Sequence, residues 1–291
     1  MLENLKLQTK VNIAPGNFPD FEANAVFCGI GSCFSENLIN MLVDTGFDAV
    51  QNPTGIVYNA CSIMQVIERC AHDRPFERKD FFAYGGLYHS WEHHGNFSKD
   101  NLEAAVNTAN HALGCFREKL LHADALIITP SSSVVYVNKE TETIVANCHK
   151  LPNNCFYRRI VSVDENYRYL SHLVNLVAGI NAECKIIFTL SPVRHYPGDL
   201  VLNGQSKANL LAAVHQVCND GSCCYFPAYE ILNDELRDYR FYKPDMLHPS
   251  DLTVDYICTS FLKTILSRDA FKQYKNLLKA AEFKKHRRIN S

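Results

Sequence analysis

The chain has 291 residues, 47% hydrophobic and 21% charged, with a formal net charge of -2. That length fits one large domain or two small ones, the composition supports a substantial core, and the near-neutral charge argues against a global polyanion-binding surface. No run of about 18 apolar residues occurs, and residues 1–21 hold no continuous apolar segment of the secretory kind, so no membrane span and a cytoplasmic location are expected.

Residues 25–30 (AVFCGI) read as a short buried strand closed by Gly31. After Ser32 the pattern turns helical, with Leu38, Ile39, Leu42 and Val43 on one face and Gly46 as the stop. Asp48–Gln51 is the next strand, leading through the loop 52–55 (NPTG) to a helix over Ala60–Arg69. The aromatic and polar stretch 72–98 has neither period and is long for a connection, as lids and substrate loops often are. A helical pattern returns over 100–122, followed by a strand at Leu126–Thr129 and a serine turn, Ser131–Ser133. Residues 135–154 fit a hairpin and Asp164–Ile180 an amphipathic helix. A strand at Lys185–Leu190, a helix at Lys207–Val217 and a strand at Cys223–Phe226 follow.

From Phe271 the chain is helical and basic, which fits a solvated amphipathic end better than a nucleic-acid or lipid contact. Short apolar strands alternating with helices predict a parallel sheet covered on both faces, an α/β/α sandwich in one domain.

In such a sheet, ligands bind where strands run out into helices. Ser32 stands there, flanked by Gly29 and Gly31, on a turn that either caps the helix or presents a nucleophile with helix N–H groups at hand. A serine nucleophile needs a base, and the base an orienting carboxylate. The proline-bounded loop 243–249 (KPDMLHP) offers Asp245 and His248 with two residues between them. It is either an incidental surface loop or the other half of a triad, in which His248 Nε2 lies within about 4 Å of Ser32 Oγ.

Gly31-Ser32-Cys33-Phe34-Ser35 resembles the motif of the GSCFA family, with Ser35 in place of its alanine. The resemblance runs from about residue 26 to 262, through NPTGIVYN (52–59), LIITPSSSVVY (126–136), ANCHKLP (146–152), SPVRH (191–195), SKANLLAAV (206–214) and DMLHPS (245–250). That family looks related to the SGNH, or GDSL-like, hydrolases. The resemblance implies a flavodoxin-like SGNH sandwich and nominates Ser32, Asp245 and His248 as catalytic.

It also implies an oxyanion hole built from the Ser32 and Gly55 N–H groups. The third-strand turn departs from the pattern. Ser131, Ser133 and Val134 differ from the family's L-G-T-A-W-V-Y, and no asparagine is present, which leaves Ser132 as a donor. Asn147, His149, Arg194 and His195 are further candidates for the substrate rim. Cys33 could serve as nucleophile instead, but the residue after the turn is expected to point inward as a structural thiol.

Twelve scattered cysteines without a C-x-x-C are expected to be reduced and mostly structural, and His89, His93 and His94 around Trp91 fit a loop better than a metal site. Neither metal nor cofactor is expected. The implied activity is hydrolysis of an O-acyl or O-acetyl ester, on a small molecule or a carbohydrate, without nucleic acid. The alternatives are acyltransfer or thioester chemistry, or a ligand-binding protein on a degenerate fold.

Overall fold

The computed structural model describes residues 8–14, 16–195, 199–219 and 221–289, with side chains as far as residue 279. The first strand, β1 (Val26–Gly31), runs into α1 (Cys33–Asp44), then β2 (Asp48–Gln51) and α2 (Ala60–Ala71). The stretch 72–98, read as aperiodic, forms a small hairpin, β3 (Phe82–Tyr84) with β4 (Leu87–His89), between short 3-10 turns. After α3 (Leu102–Leu120) and β5 (Ala125–Thr129) comes an antiparallel sheet of β6 (Val134–Asn138), β7 (Ile144–Val145) and β8 (Phe156–Ile160). The expected hairpin is therefore three-stranded: β8 lies beyond residue 154, and its FYRRI sequence carries no clear alternation.

The order continues with α4 (Val163–Ile180), β9 (Lys185–Thr189), α5 (Leu200–Cys218), β10 (Cys223–Phe226), the short turn α6 (Ala228–Glu230), α7 (Asp251–Ile265) and α8 (Arg268–Ile289). The helix α7 is not among the expected elements, although Ser250 caps it and Ile257, Phe261 and Leu262 share its buried face.

The main sheet is parallel, in the order β10-β9-β5-β1-β2. Counted along the chain this is the 2-1-3-4-5 order of flavodoxin-like folds, whose switch point falls between β1 and β5. Alternating strand residues divide between two cores. Cys28, Ile30, Leu126, Ile128, Ile186 and Phe188 face α2, α3, α4 and α5. Phe27, Ala125, Ile127 and Ile187 face α1, α7 and α8. The expected three-layer α/β/α architecture is the one observed.

Phe188 is fully buried at the centre of the first core. Replacing it by alanine should cost about 3–5 kcal/mol, read as a lower urea midpoint at unchanged slope, and a loss under about 1 kcal/mol would contradict this packing.

Candidate active site

The turn after β1 is built on Gly31, whose φ of +140° is closed to side-chain-bearing residues. A Cβ there would come within 2.3 Å of the Thr129 carbonyl oxygen at the end of β5. The next residue, Ser32, is extended (φ -74°, ψ 175°) and caps α1, its Oγ accepting the Phe34 N–H at 3.3 Å. Ser32 thus stands at the switch point of the sheet, at the mouth of a helix dipole.

Asp245 and His248 lie on the loop before α7. Asp245 Oδ1 accepts the N–H groups of Leu247 (2.9 Å) and His248 (3.0 Å), while Oδ2 accepts from His248 Nδ1 at 2.7 Å. One carboxylate therefore folds the loop and orients the imidazole. The hydrogen bond from the His248 ring, aided by those two N–H groups, holds the Asp245 carboxyl down to about 2, so it is ionised at any ordinary pH. Two backbone bonds brace the loop, Lys243 N–H to His248 O (2.8 Å) and Arg194 N–H to Leu247 O (3.1 Å). The Arg194 guanidinium lies 4.2 Å from the centre of the Tyr242 ring. Arg194 is thus occupied in joining the loop after β9 to the Asp245–His248 loop.

Beside His248 is a cavity of about 230 Å³, reached by Cys33, Phe34, Asn37, Val193 and Lys243. The exposures of the two neighbours on the turn are the reverse of those expected, with Ser32 fully buried and Cys33 half-buried on the cavity wall. Burial, with the Glu36 carboxylate adding to it, pushes the Cys33 thiol up, away from a thiolate. Ser32 Oγ and His248 are not hydrogen-bonded to one another among the described residues.

The expected oxyanion donors need correction. The Ser32 N–H donates to Thr129 O (3.1 Å) and the Gly55 N–H to Asn52 O (2.8 Å), so neither is free. Both glycine-type turns consume their own amides: Gly55 (φ +78°) also lies close under His94, where a Cβ would meet the His94 Cβ at 2.6 Å. Ser132 is likewise engaged. The backbone N–H groups of Ser131 and Ser132 both donate to Tyr58 O, and Ser132 Oγ accepts from Val134 N–H (3.0 Å) and pairs with Ser206 Oγ (3.2 Å). Asn147 Oδ1 accepts the His149 N–H (2.8 Å), and the His149 ring contacts Ser90 O (2.8 Å), Phe82, His89 and Trp91. This pair belongs to the aromatic cluster of the 72–98 insertion rather than to the Ser32 turn. Among the described residues no three His, Cys, Asp or Glu side chains form a metal-binding group, His89, His93 and His94 included.

A second polar cluster joins Ser131 and His195, both singled out in the sequence, to Lys207, which the sequence does not mark. Ser131 Oγ is hydrogen-bonded to His195 Nε2, and the buried Lys207 Nζ donates to Ser191 O (2.6 Å), Ser131 O (2.7 Å) and Ser131 Oγ (3.4 Å). Burial, followed by the Lys207 and His248 charges, lowers the His195 imidazole to about 3, so it is neutral. Burial holds the Lys207 ammonium down to about 7. Below about 7 both folded and unfolded chains carry that proton, and the buried charge costs its full amount. Between there and the unfolded value near 10.4 only the unfolded chain keeps it, so stability should rise with pH across that window. Urea unfolding of Lys207→Met should lack that rise between about pH 7 and about pH 10, and a rise equal to wild type would show that Lys207 is not its source.

Together these features define a doubly wound α/β protein with a serine turn and an ordered Asp–His pair at the carboxyl edge of its sheet. The chain belongs to the GSCFA family, whose model matches residues 26–261. No curated protein matches the sequence. Among solved structures, the chain is similar to one described as a GDSL-like lipase from Parabacteroides merdae, at 10% identity and a TM-score of 0.45, covering 89% of this chain and 100% of that one. It is also similar to an acetyl xylan esterase (Est2A) from the rumen bacterium Butyrivibrio proteoclasticus, at 9% identity and a TM-score of 0.35, covering 82% of this chain and 63% of that one. Among the described residues no helix is long and apolar enough to cross a membrane.

Proposed function

We propose that the protein is a serine esterase acting on short O-acyl esters through an acyl-enzyme on Ser32. The observation that carries this reading is the Asp245–His248 pair. The carboxylate binds Nδ1 at 2.7 Å, which leaves Nε2 as the basic nitrogen beside a cavity walled by Cys33 and Phe34, the two residues after Ser32. In the reaction, His248 Nε2 takes the Ser32 hydroxyl proton as Oγ bonds to the ester carbonyl carbon. The resulting tetrahedral oxyanion collapses as His248 hands the proton to the leaving alkoxide, releasing the alcohol. Water then attacks the acyl-serine with His248 again as base, freeing the acid. The cavity of about 230 Å³ is below the usual range of roughly 300–1,000 Å³ for ligand sites, which favours an acetyl-sized acyl group. The alcohol side, a small molecule or a carbohydrate, would lie outside that cavity.

One observation favours a second reading. The Ser131–His195 hydrogen bond, with Lys207 alongside, is itself a hydroxyl held by a neutral imidazole. A fluorophosphonate probe followed by peptide mass spectrometry separates the two. Labelling of Ser32, abolished in Ser32→Ala and kept in Cys33→Ala, is the expected result. Labelling of Ser131 or of Cys33 would overturn it.

A further inference from the structure

With the Ser32 and Gly55 amides engaged, an acyl-transfer oxyanion at this turn needs another donor. Asn52, on the loop after β2, holds its backbone in the left-handed region (φ +41°), where asparagine is tolerated better than most residues but still at a cost. Its carboxamide oxygen accepts the Gly31 N–H at 2.8 Å, which fixes the amide orientation and ties the side chain to the residue before Ser32. Asn52 is only 6% exposed, yet its Nδ2 carries no hydrogen bond among the described residues. Two more fully buried hydroxyls at the same strand ends, Thr54 Oγ1 and Thr129 Oγ1, are also unpaired. An unpaired buried donor costs roughly 1–3 kcal/mol, and natural structures leave few of them.

We propose that Asn52 Nδ2 is the side-chain oxyanion donor of this site, supplying from the loop after β2 what the serine turn Ser131–Ser133 does not offer. The inference rests on the Ser32 reading. In the ground state the amide N–H pays its desolvation, and in the tetrahedral intermediate it meets the charge that develops on the former carbonyl oxygen, so the interaction belongs to the transition state.

Two variants of the full chain test it, with p-nitrophenyl acetate as probe and Ser32→Ala as reference. Asn52→Asp keeps the oxygen that accepts from Gly31 and removes the donor. Asn52→Gly removes the whole side chain but is at ease at positive φ, so it keeps the test open should the buried aspartate prevent folding. Both are expected to lose on the order of 10²- to 10³-fold in kcat with KM within about threefold, and to melt near wild type. Loss in Asn52→Gly alone would mean that Asn52 only braces Gly31. Loss in Asn52→Asp alone would mean that the new charge is responsible, and either result overturns the proposal. Wild-type kcat in a folded Asn52→Asp also overturns it, while leaving Ser32 in place. Turnover that survives in Ser32→Ala, or is absent from wild type, would instead remove the Ser32 reading and this inference with it.

Discussion

Ser32→Ala and His248→Ala are each expected to lower kcat on p-nitrophenyl acetate by on the order of 10⁵-fold or more. On the reading proposed above, the serine supplies the bond-forming oxygen and His248 takes its proton, so neither is expected to retain partial function alone. The double variant should be hardly worse than either single one, because the two act as a unit. Asp245→Asn should keep visibly more activity, since its task is to orient the ring through the 2.7 Å contact with Nδ1. The same carboxylate also accepts two backbone N–H groups of its loop, so part of the Asp245→Asn loss should appear as a looser loop. Because Asp245 is ionised down to about pH 2, no acid limb in the rate profile should come from it. Each variant must melt within a few degrees of wild type. A folded His248→Ala that loses less than about tenfold would exclude histidine as the base.

The parts of this molecule that were legible in the sequence are those whose physics is local. A run of small and β-branched residues ending in Gly31, then Ser32, then apolar residues at helical spacing, specifies strand, turn and capped helix within about twenty residues. The pair Asp245 and His248 was legible for the same reason: their separation lets one carboxylate bond both the ring and the loop backbone. What was hidden depends on contacts distant in the chain. Lys207 stands in the sequence only as the start of an expected helix, yet it is buried against carbonyls of Ser131 and Ser191, 76 and 16 residues away. The amides of Ser32 and Gly55 looked available, and only the pairing of β1 with β5 and the closure of the 52–55 turn show them taken. Asn52 falls in the expected loop 52–55, while its bond to the Gly31 N–H has no local signal. The insertion hid its order because its anchors are long-range, chiefly Arg69 of α2 gripping Glu92 through Nε at 2.7 Å.

The second large effect concerns the turn itself. Gly31→Ala should destabilise the fold severely. Its backbone at φ +140° strains any residue with a Cβ, at about 1–3 kcal/mol. The new methyl would also press on Thr129 O at 2.3 Å and Thr129 C at 2.7 Å. Those are backbone atoms of the central strand β5, whose Ile127 and Ile128 are fully buried on opposite faces, so the strand cannot yield without disturbing both cores. Such overpacking adds about 1–3 kcal/mol or more, a large share of the roughly 5–15 kcal/mol that stabilises a domain. Gly114→Ala is the matched control. That glycine lies within α3 with nothing inside 4 Å of the added Cβ, and alanine there should stabilise by about 0.5–1 kcal/mol. Urea unfolding of both variants should therefore move the midpoint in opposite directions. Any protein surviving as folded Gly31→Ala should also have lost the Ser32 turn geometry, and with it fluorophosphonate labelling. A Gly31→Ala protein that melts with wild type and labels at the wild-type rate would show that the close approach of β1 and β5 does not set this site.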